Sequence, residues 1–284
     1  MTERIMDGKT LADKILVDCA KRIGEAMPEI GRAPVLKIVT VGDDDASRVY
    51  VRNKRKACER VGIVCDHITM NADTGAADMY ATINGDNENV DGVILQLPVP
   101  SRLEFVADCM FDNMLMRKDV DGLGMQNEGW WYYGCGQSPC TALGIMRLLK
   151  EYDIDPRGKN VCIIGRSKLV GRPLAAMMTK ADATVTLCHS YTRNLETFTR
   201  MADIVVVAVG KPGFFTSDML RPGAVLVDVG INRDADGKLC GDCTADAYAK
   251  AGMYTPVPGG VGPMTVAMLI ENTVKSYERS MYDD

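Results

Sequence analysis

The sequence predicts an α/β protein of two domains, each built on a mostly parallel sheet. Three observations carry this. Short β-branched runs alternate with longer amphipathic stretches. Most of the runs stop at or beside a glycine or proline. The length of 284 residues exceeds what one domain of about 150 residues needs.

In the first series, Val35 to Val41 reads as a buried strand ending at Gly42, and Ser47 to Val61 as a helix closed by Gly62. Val64 to Met70 is a second strand, Thr74 to Ile83 a helix, and Val90 to Leu97 a third strand stopped by Pro98 and Pro100. Lys118 to Pro139 is glycine-rich, holds Trp130, Trp131, Tyr132 and Tyr133, and reads as loop. Thr141 to Tyr152 is a helix leading into the second series. There, Val161 to Gly165, Ala183 to Cys188, Ile204 to Val209 and Val225 to Val229 are strands, with a helix over Val170 to Thr179. After the rigid segment TPVPGGVGP, a last helix is predicted from Met264 to Tyr277.

Composition narrows the function. Lys plus Arg is 33 and Asp plus Glu is 38, a net charge of −5, so the basic footprint of a nucleic-acid or membrane-surface protein is missing. The longest apolar run, Ile204 to Val209, is six residues, too short to span a bilayer. Ten cysteines and an N-terminus with no signal-peptide core predict reduced thiols in a cytoplasm. With only His67 and His189, a His-rich metal site is excluded and no metal is expected.

The strand VCIIG runs into RSKLVGRPLAAMM, a glycine-containing strand-to-helix turn of the kind that presents backbone N–H groups to phosphate. Gly165 and Gly171 do not make G-x-G-x-x-G, so a plain structural turn also fits them. The surrounding βαβ pattern favours a Rossmann-like unit. The next strand ends in Cys188-His189-Ser190-Tyr191-Thr192-Arg193, without the Asp or Glu that holds the ribose 2′-hydroxyl of NAD. A serine at that end, with Arg166 in the turn, predicts NADP over NAD.

Tyr50 and Lys54, four apart, share one helix face, which suits a flat polar heterocycle and acid/base chemistry. Spacing alone favours a solvated basic helix, because Arg52, Arg55, Lys56 and Arg60 surround them. Short-chain dehydrogenases also carry Tyr-x-x-x-Lys, but after their nucleotide fold; here it precedes the glycine turn. Gln96 in LQLPVP falls at the carboxyl edge of a parallel sheet, where ligands bind, or is a surface amide. KDVDG places two carboxylates in one turn, which by itself is ordinary turn chemistry.

Taken in order, Tyr50-x-x-x-Lys54, LQLPVP, KDVDG, PCT, GRSKLVGRP, DVGIN and TPVPGGVGPMT resemble the bifunctional methylenetetrahydrofolate dehydrogenase/cyclohydrolases over nearly the whole chain. The resemblance implies that Lys54 is the catalytic lysine and that Gln96 beside it tunes its protonation. By the same resemblance, Tyr50 is expected to stack on the folate rings and Asp121 to bind the pterin edge, completing the implied catalytic set. The resemblance further implies substrate contacts from Val51, Arg52 and Asn53, from Leu95 and Leu97, and from a closing loop of Pro258, Gly259, Gly260, Val261 and Gly262. Gly165, Arg166, Ser167, Ser190 and Ile231 are the implied NADP contacts.

The implied domains are a folate domain at 1–145, completed by a C-terminal helix at 266–284, and an NADP-binding domain at 146–265, with the active site in the cleft between them. A cytoplasmic homodimer supplying one-carbon units to purine biosynthesis is implied as well. The competing enzyme is another two-domain NADP-dependent dehydrogenase, such as one acting on shikimate, which needs neither Tyr50 nor Asp121. A nucleotide-sensing protein without catalysis has no use for Lys54 or Gln96. Two departures stand out: Ala142 and Leu143 follow PCT where the family has Pro, and GWWYYG (129–134) is bulkier than usual. Cys240 and Cys243, spaced as a redox or zinc pair, lack two further ligands and read as turn and buried residues. Cys140 reads as packing, and His189 as a neighbour of the nucleotide.

Overall fold

The computed structural model describes residues 4–282 apart from 86, 108, 112, 113, 115 and 134. Gly134 of the aromatic stretch, and residues 1–3 and 283–284 at the ends of the expected domain spans, lie outside the described residues. In chain order the elements are α1 (Gly8–Ile30), β1 (Val35–Val41), α2 (Asp45–Val61), β2 (Val64–Met70), α3 (Ala76–Asn84), β3 (Gly92–Leu95) and α4 (Ser101–Ala107). Then come α5 (Met125–Tyr132), α6 (Cys140–Glu151), β4 (Asn160–Ile164), α7 (Gly171–Lys180), β5 (Thr184–Cys188), α8 (Leu195–Met201), β6 (Ile204–Val207) and β7 (Val225–Asp228). The chain closes with β8 (Asn232–Arg233), β9 (Leu239–Cys240), α9 (Ala245–Lys250), β10 (Met253–Tyr254) and α10 (Val261–Arg279).

The chain divides into two compact units. One holds residues 13–139 and 266–284 around a parallel sheet of order β2-β1-β3. The other holds residues 1–12 and 140–265 around a parallel sheet of order β10-β7-β6-β4-β5, with a separate antiparallel pair β8-β9.

In the three-stranded unit, β1 is central and buried over almost its whole length, so its sequence VLKIVTV reads as a nearly unbroken apolar run. The edge strand β2 instead alternates exposed and covered residues. Asp44 starts α2 by accepting from Ser47 N at 2.7 Å, and Gly62, at φ +87°, ends it. The 118–139 segment, predicted as loop, contains α5. It forms because the buried Asn127 and Trp131, one turn apart, give it an inward face. Asn272 of α10 then ties this segment down, donating to the Val120 and Ser138 carbonyls at 2.9 and 3.2 Å.

α1 has no counterpart in the sequence prediction. Its apolar face, Leu11, Ile15, Leu16, Cys19, Ile23 and Ala26, has helical spacing, but charges between these positions break up the run. Asp7 caps it through Lys9 N (2.9 Å) and Thr10 N (3.0 Å). α10 starts at Val261, three residues before the predicted Met264, because Pro263 fits within a first helical turn that lacks inward N–H bonds. The strand predicted over Val90 to Leu97 shortens to β3: Gln96 N still reaches Val39 O at 2.8 Å, and the chain leaves the sheet at Leu97, before Pro98, which has no N–H to donate. In the five-stranded unit each central strand is buried on both faces, and β10, too short to be read from sequence, extends the sheet beside β7.

Candidate active site and dinucleotide site

In each sheet the chain reverses direction of winding beside one strand, and the crevice at the carboxyl ends there is where open α/β sheets bind ligands. In the three-stranded unit that point lies between β1 and β3; in the five-stranded unit it lies between β4 and β6.

At the first point, α2 follows β1 and turns Val51, Lys54, Ala57, Cys58 and Val61 inward, while Arg52, Asn53, Arg55, Lys56 and Arg60 are exposed. The helix is therefore not a solvated basic one: its cations lie on one face and Lys54 on the other. Lys54 Nζ donates to Gln96 Oε1 at 2.9 Å, with each residue only 9% exposed. Gln96 Nε2 donates to the Leu97 carbonyl at 2.7 Å. That second bond sets the amide's orientation, because the flipped amide would turn its NH₂ toward the lysine and its oxygen toward a carbonyl. Gln96 N also holds the strand end, donating to Val39 O at 2.8 Å.

Tyr50 lies one turn before Lys54 and is 37% exposed; burial of the rest of the ring raises its phenol above the usual value. Leu95 is buried and Leu97 partly so. Of the two carboxylates in KDVDG, Asp119 is the buried one. It accepts from Gly122 N (3.1 Å), Leu123 N (3.3 Å), Gly124 N (2.8 Å) and Asn127 Nδ2 (2.8 Å), and so builds the turn. Asp121, half-buried, is carried by the same turn beside β3, which Asp119 joins through a bridge to Val93.

At the second point, β4 ends in Gly165, whose φ is +121°. A Cβ there would overlap the Ala208 carbonyl oxygen, and a Cβ on Gly171 would overlap the Gly165 carbonyl oxygen. Backbone thus meets backbone across the turn, the close approach a phosphate-binding turn requires. Arg166 and Ser167 are exposed at its rim, and the Ser167 hydroxyl accepts from Val170 N at 3.2 Å at the start of α7. After β5, His189 N donates to Thr192 Oγ1 (2.9 Å) and His189 Nδ1 accepts from Tyr191 N (3.2 Å), a tight turn that leaves Ser190 exposed. The Arg166 guanidinium lies 5.9 Å from the Tyr191 ring centroid. Ile231 is exposed in the turn after β7.

Pro258 and Gly259 precede α10; Gly259 O accepts from Lys9 N at 2.9 Å, and Gly260 packs so closely on Gly8 that a Cβ on Gly8 would overlap its carbonyl oxygen. Val261 is buried and Gly262 half-buried in the first turn of the helix.

Residues 6–121 match the family described as tetrahydrofolate dehydrogenase/cyclohydrolase, catalytic domain, and residues 139–281 match its NAD(P)-binding domain. The chain belongs to the tetrahydrofolate dehydrogenase/cyclohydrolase family. It is 46% identical over 277 residues to the bifunctional protein FolD of Campylobacter hominis, covering 96% of both chains. The crystal structure of the bifunctional FolD of Campylobacter jejuni superposes with a TM-score of 0.92 at 41% identity, over 97% of this chain and 99% of that one. The dehydrogenase-cyclohydrolase of Trypanosoma brucei, solved with NADP and an inhibitor, gives 0.90 at 32% identity over 97% of each chain. A shikimate dehydrogenase of Thermus thermophilus shares the fold alone, with a TM-score of 0.54 at 16% identity. The shikimate alternative thus fails in favour of the tetrahydrofolate enzymes.

Two departures from the family pattern take shape here. Ala142 sits fully buried in the first turn of α6, so the change from Pro alters a helix start. In the aromatic stretch, Trp131 is buried while Trp130, Tyr132 and Tyr133 are exposed. Cys243 is buried, and its thiol is pushed up by burial and by Asp228, which fits a structural role.

Sequence reasoning missed the loop after β6, Ala208 to Lys211, which lies against the Gly165 turn. The glycine closing that strand, Gly210, was its only signal. It also missed Asp119. Burial pushes the Asp119 carboxyl up to about 6 from 3.8, outweighing its N–H donors. A raised folded value means that this group favours the folded state fully below pH 4, and that the contribution is lost as pH rises through 6. The unfolding free energy of the wild type minus that of Asp119→Asn is therefore expected to fall by about 2 kcal/mol between pH 4 and pH 7, read by urea titration.

Proposed function

We propose that the chain oxidises 5,10-methylenetetrahydrofolate to 5,10-methenyltetrahydrofolate with NADP⁺, and hydrolyses the product to 10-formyltetrahydrofolate. The observation that carries this is the buried hydrogen bond between Lys54 and Gln96 at the reversal point of the sheet in the catalytic domain.

The first step removes hydride from a CH₂ between two nitrogens, which stabilise the cation, so no side chain need take a proton. What the chain contributes is position: Tyr50 offers a half-exposed ring to the folate heterocycle, and Asp121 offers acceptors to its polar edge. Val51, Arg52, Asn53, Leu95 and Leu97 flank them, and Pro258 to Gly262 are proposed as a further folate-facing segment. Bound NADP⁺ supplies the hydride acceptor. The turn of Gly165, Arg166 and Ser167 suits its phosphates, and Ile231 offers an apolar surface. Arg166 and Ser190, with no carboxylate from Cys188 to Arg193, favour a 2′-phosphate.

The second step needs a water deprotonated and a proton returned. Lys54 is the only amine on the inward face of α2, and Gln96 holds one of its N–H bonds at 2.9 Å. This fixes the direction of the remaining Nζ positions for proton transfer at Nζ.

We assign folate chemistry to the unit of residues 13–139 and 266–284 and the dinucleotide to that of residues 1–12 and 140–265, whereas the sequence reading put 1–12 and 140–145 with the folate domain. Among the described residues no helix is long and apolar enough to cross a membrane. The free state of all ten cysteines supports a cytoplasmic setting, and the net charge of −5 argues against a nucleic-acid partner. The homodimer and the link to purine synthesis rest on the family resemblance.

Incubation with 5,10-methylenetetrahydrofolate and NADP⁺ should give rising NADPH absorbance and a transient methenyl absorbance; absence of both contradicts the reading. Arg166→Leu is expected to raise the KM for NADP⁺ about tenfold and that for NAD⁺ far less, as for loss of one charge-assisted bond. Equal changes would remove Arg166 from 2′-phosphate recognition.

A further inference from the structure

The loop after β6 is held from behind by a single carboxylate. Asp242, which follows β9, is 0% exposed. Its Oδ2 accepts from Val209 N (2.7 Å) and Gly210 N (3.0 Å), and its Oδ1 from Lys211 N (2.8 Å) and Asn232 Nδ2 (2.8 Å). Three consecutive backbone N–H groups and one amide therefore converge on one buried charge. The backbone of Gly230 also presses on it, since a Cβ there would overlap the Asp242 carboxylate.

The two segments so tied are the ones that leave the carboxyl ends of β6 and β7. The first lies against the phosphate turn, because the Ala208 carbonyl is what a Cβ on Gly165 would strike. The second, Gly230 to Asn232, contains the exposed Ile231. Asp228, also 0% exposed, fixes the clamp in turn: it accepts from Gly230 N (2.9 Å), Asp242 N (3.0 Å), Cys243 N (2.8 Å) and the Tyr248 hydroxyl (2.6 Å).

We propose that Asp242 is a positioning residue for the dinucleotide, holding both loops at the sheet's carboxyl edge in the conformation that receives it. It acts through backbone and through Asn232. The inference rests on the NADP reading of this unit. Asparagine at 242 has one acceptor oxygen in place of two, and its NH₂ group must face either the Val209 and Gly210 N–H groups or the Lys211 N–H together with the Asn232 amide. The loops then lose the arrangement that the N–H bonds impose, and dinucleotide binding must supply the energy to restore it.

The test is direct titration of NADP⁺ by calorimetry, with dehydrogenase kinetics and unfolding midpoints measured on the same samples. For Asp242→Asn the Kd is expected to rise about tenfold, with KM for NADP⁺ rising in parallel and kcat within about threefold of wild type. Methenyl hydrolysis without dinucleotide is expected to stay unchanged. An unchanged Kd in the folded variant, or a fall in kcat with KM unaltered, overturns the proposal. Should Asp242→Asn not fold, Asn232→Ala carries the test: losing a single donor is expected to weaken NADP⁺ binding about threefold, and an unchanged Kd there overturns it. If the NADP reading itself is wrong, the wild-type protein will not bind NADP⁺.

Discussion

Lys54→Met is expected to lower methenyl hydrolysis by roughly a thousandfold while measurable dehydrogenase activity remains. The two steps make different demands. Hydride leaves a carbon whose adjacent nitrogens carry the resulting charge, so the first step needs rings held in place. Hydrolysis needs proton transfer at a nitrogen that can hold and release it. Among the inward residues of α2, Val51, Ala57, Cys58 and Val61 offer no such group. Methionine has nearly the length of lysine and keeps the apolar stem, but gives Gln96 Oε1 no donor. The buried amide oxygen then lacks its 2.9 Å partner, a cost of about 1–3 kcal/mol in stability that urea titration would show beside the kinetic loss. Equal loss of both activities would instead make Lys54 a residue of the scaffold.

Gly171→Ala is expected to abolish measurable NADP⁺ binding, a loss of at least about a hundredfold. It is also expected to destabilise the five-stranded unit by about 3 kcal/mol. The added methyl meets the Gly165 carbonyl oxygen and comes within 3.0 Å of Arg166 Cα, so the clash is with backbone and cannot be relieved by a rotamer change. The turn must open, separating the N–H groups proposed to receive the phosphates. Gly24→Ala in α1 is the contrast. Nothing lies within 4 Å of a Cβ there, and the change is expected to leave NADP⁺ binding alone and stabilise the helix by up to about 1 kcal/mol. Calorimetric titration and urea unfolding of the two variants would separate a specific clash from a general effect of replacing glycine.

What could be read from the sequence depended on how local its cause was. The strands of both sheets were legible because buried parallel strands are nearly continuous apolar runs, as in Ile204–Val207 and Val225–Asp228. α1 was not, because Lys, Asp and Arg residues lie between the members of its apolar face. The Tyr50–Lys54 spacing pointed to a shared helix face. The four nearby cations left open which way that face turned, and only packing against β1 and β2 shows Lys54 inward and the cations outward. In KDVDG both carboxylates look alike on paper. Asp119 is the buried one because its acceptors fit the N–H groups of Gly122, Leu123 and Gly124 and the amide of Asn127, partners that depend on α5 forming. Asp228 and Asp242 left no local signature at all. Their partners lie up to 33 residues away, and only the sheet brings them together.

The most direct measurement of the account is the methenyl absorbance of Lys54→Met after mixing with 5,10-methylenetetrahydrofolate and NADP⁺. A lysine that serves hydrolysis alone predicts that the absorbance rises with NADPH and then persists. Decay at the wild-type rate would contradict the assignment of proton transfer to Lys54.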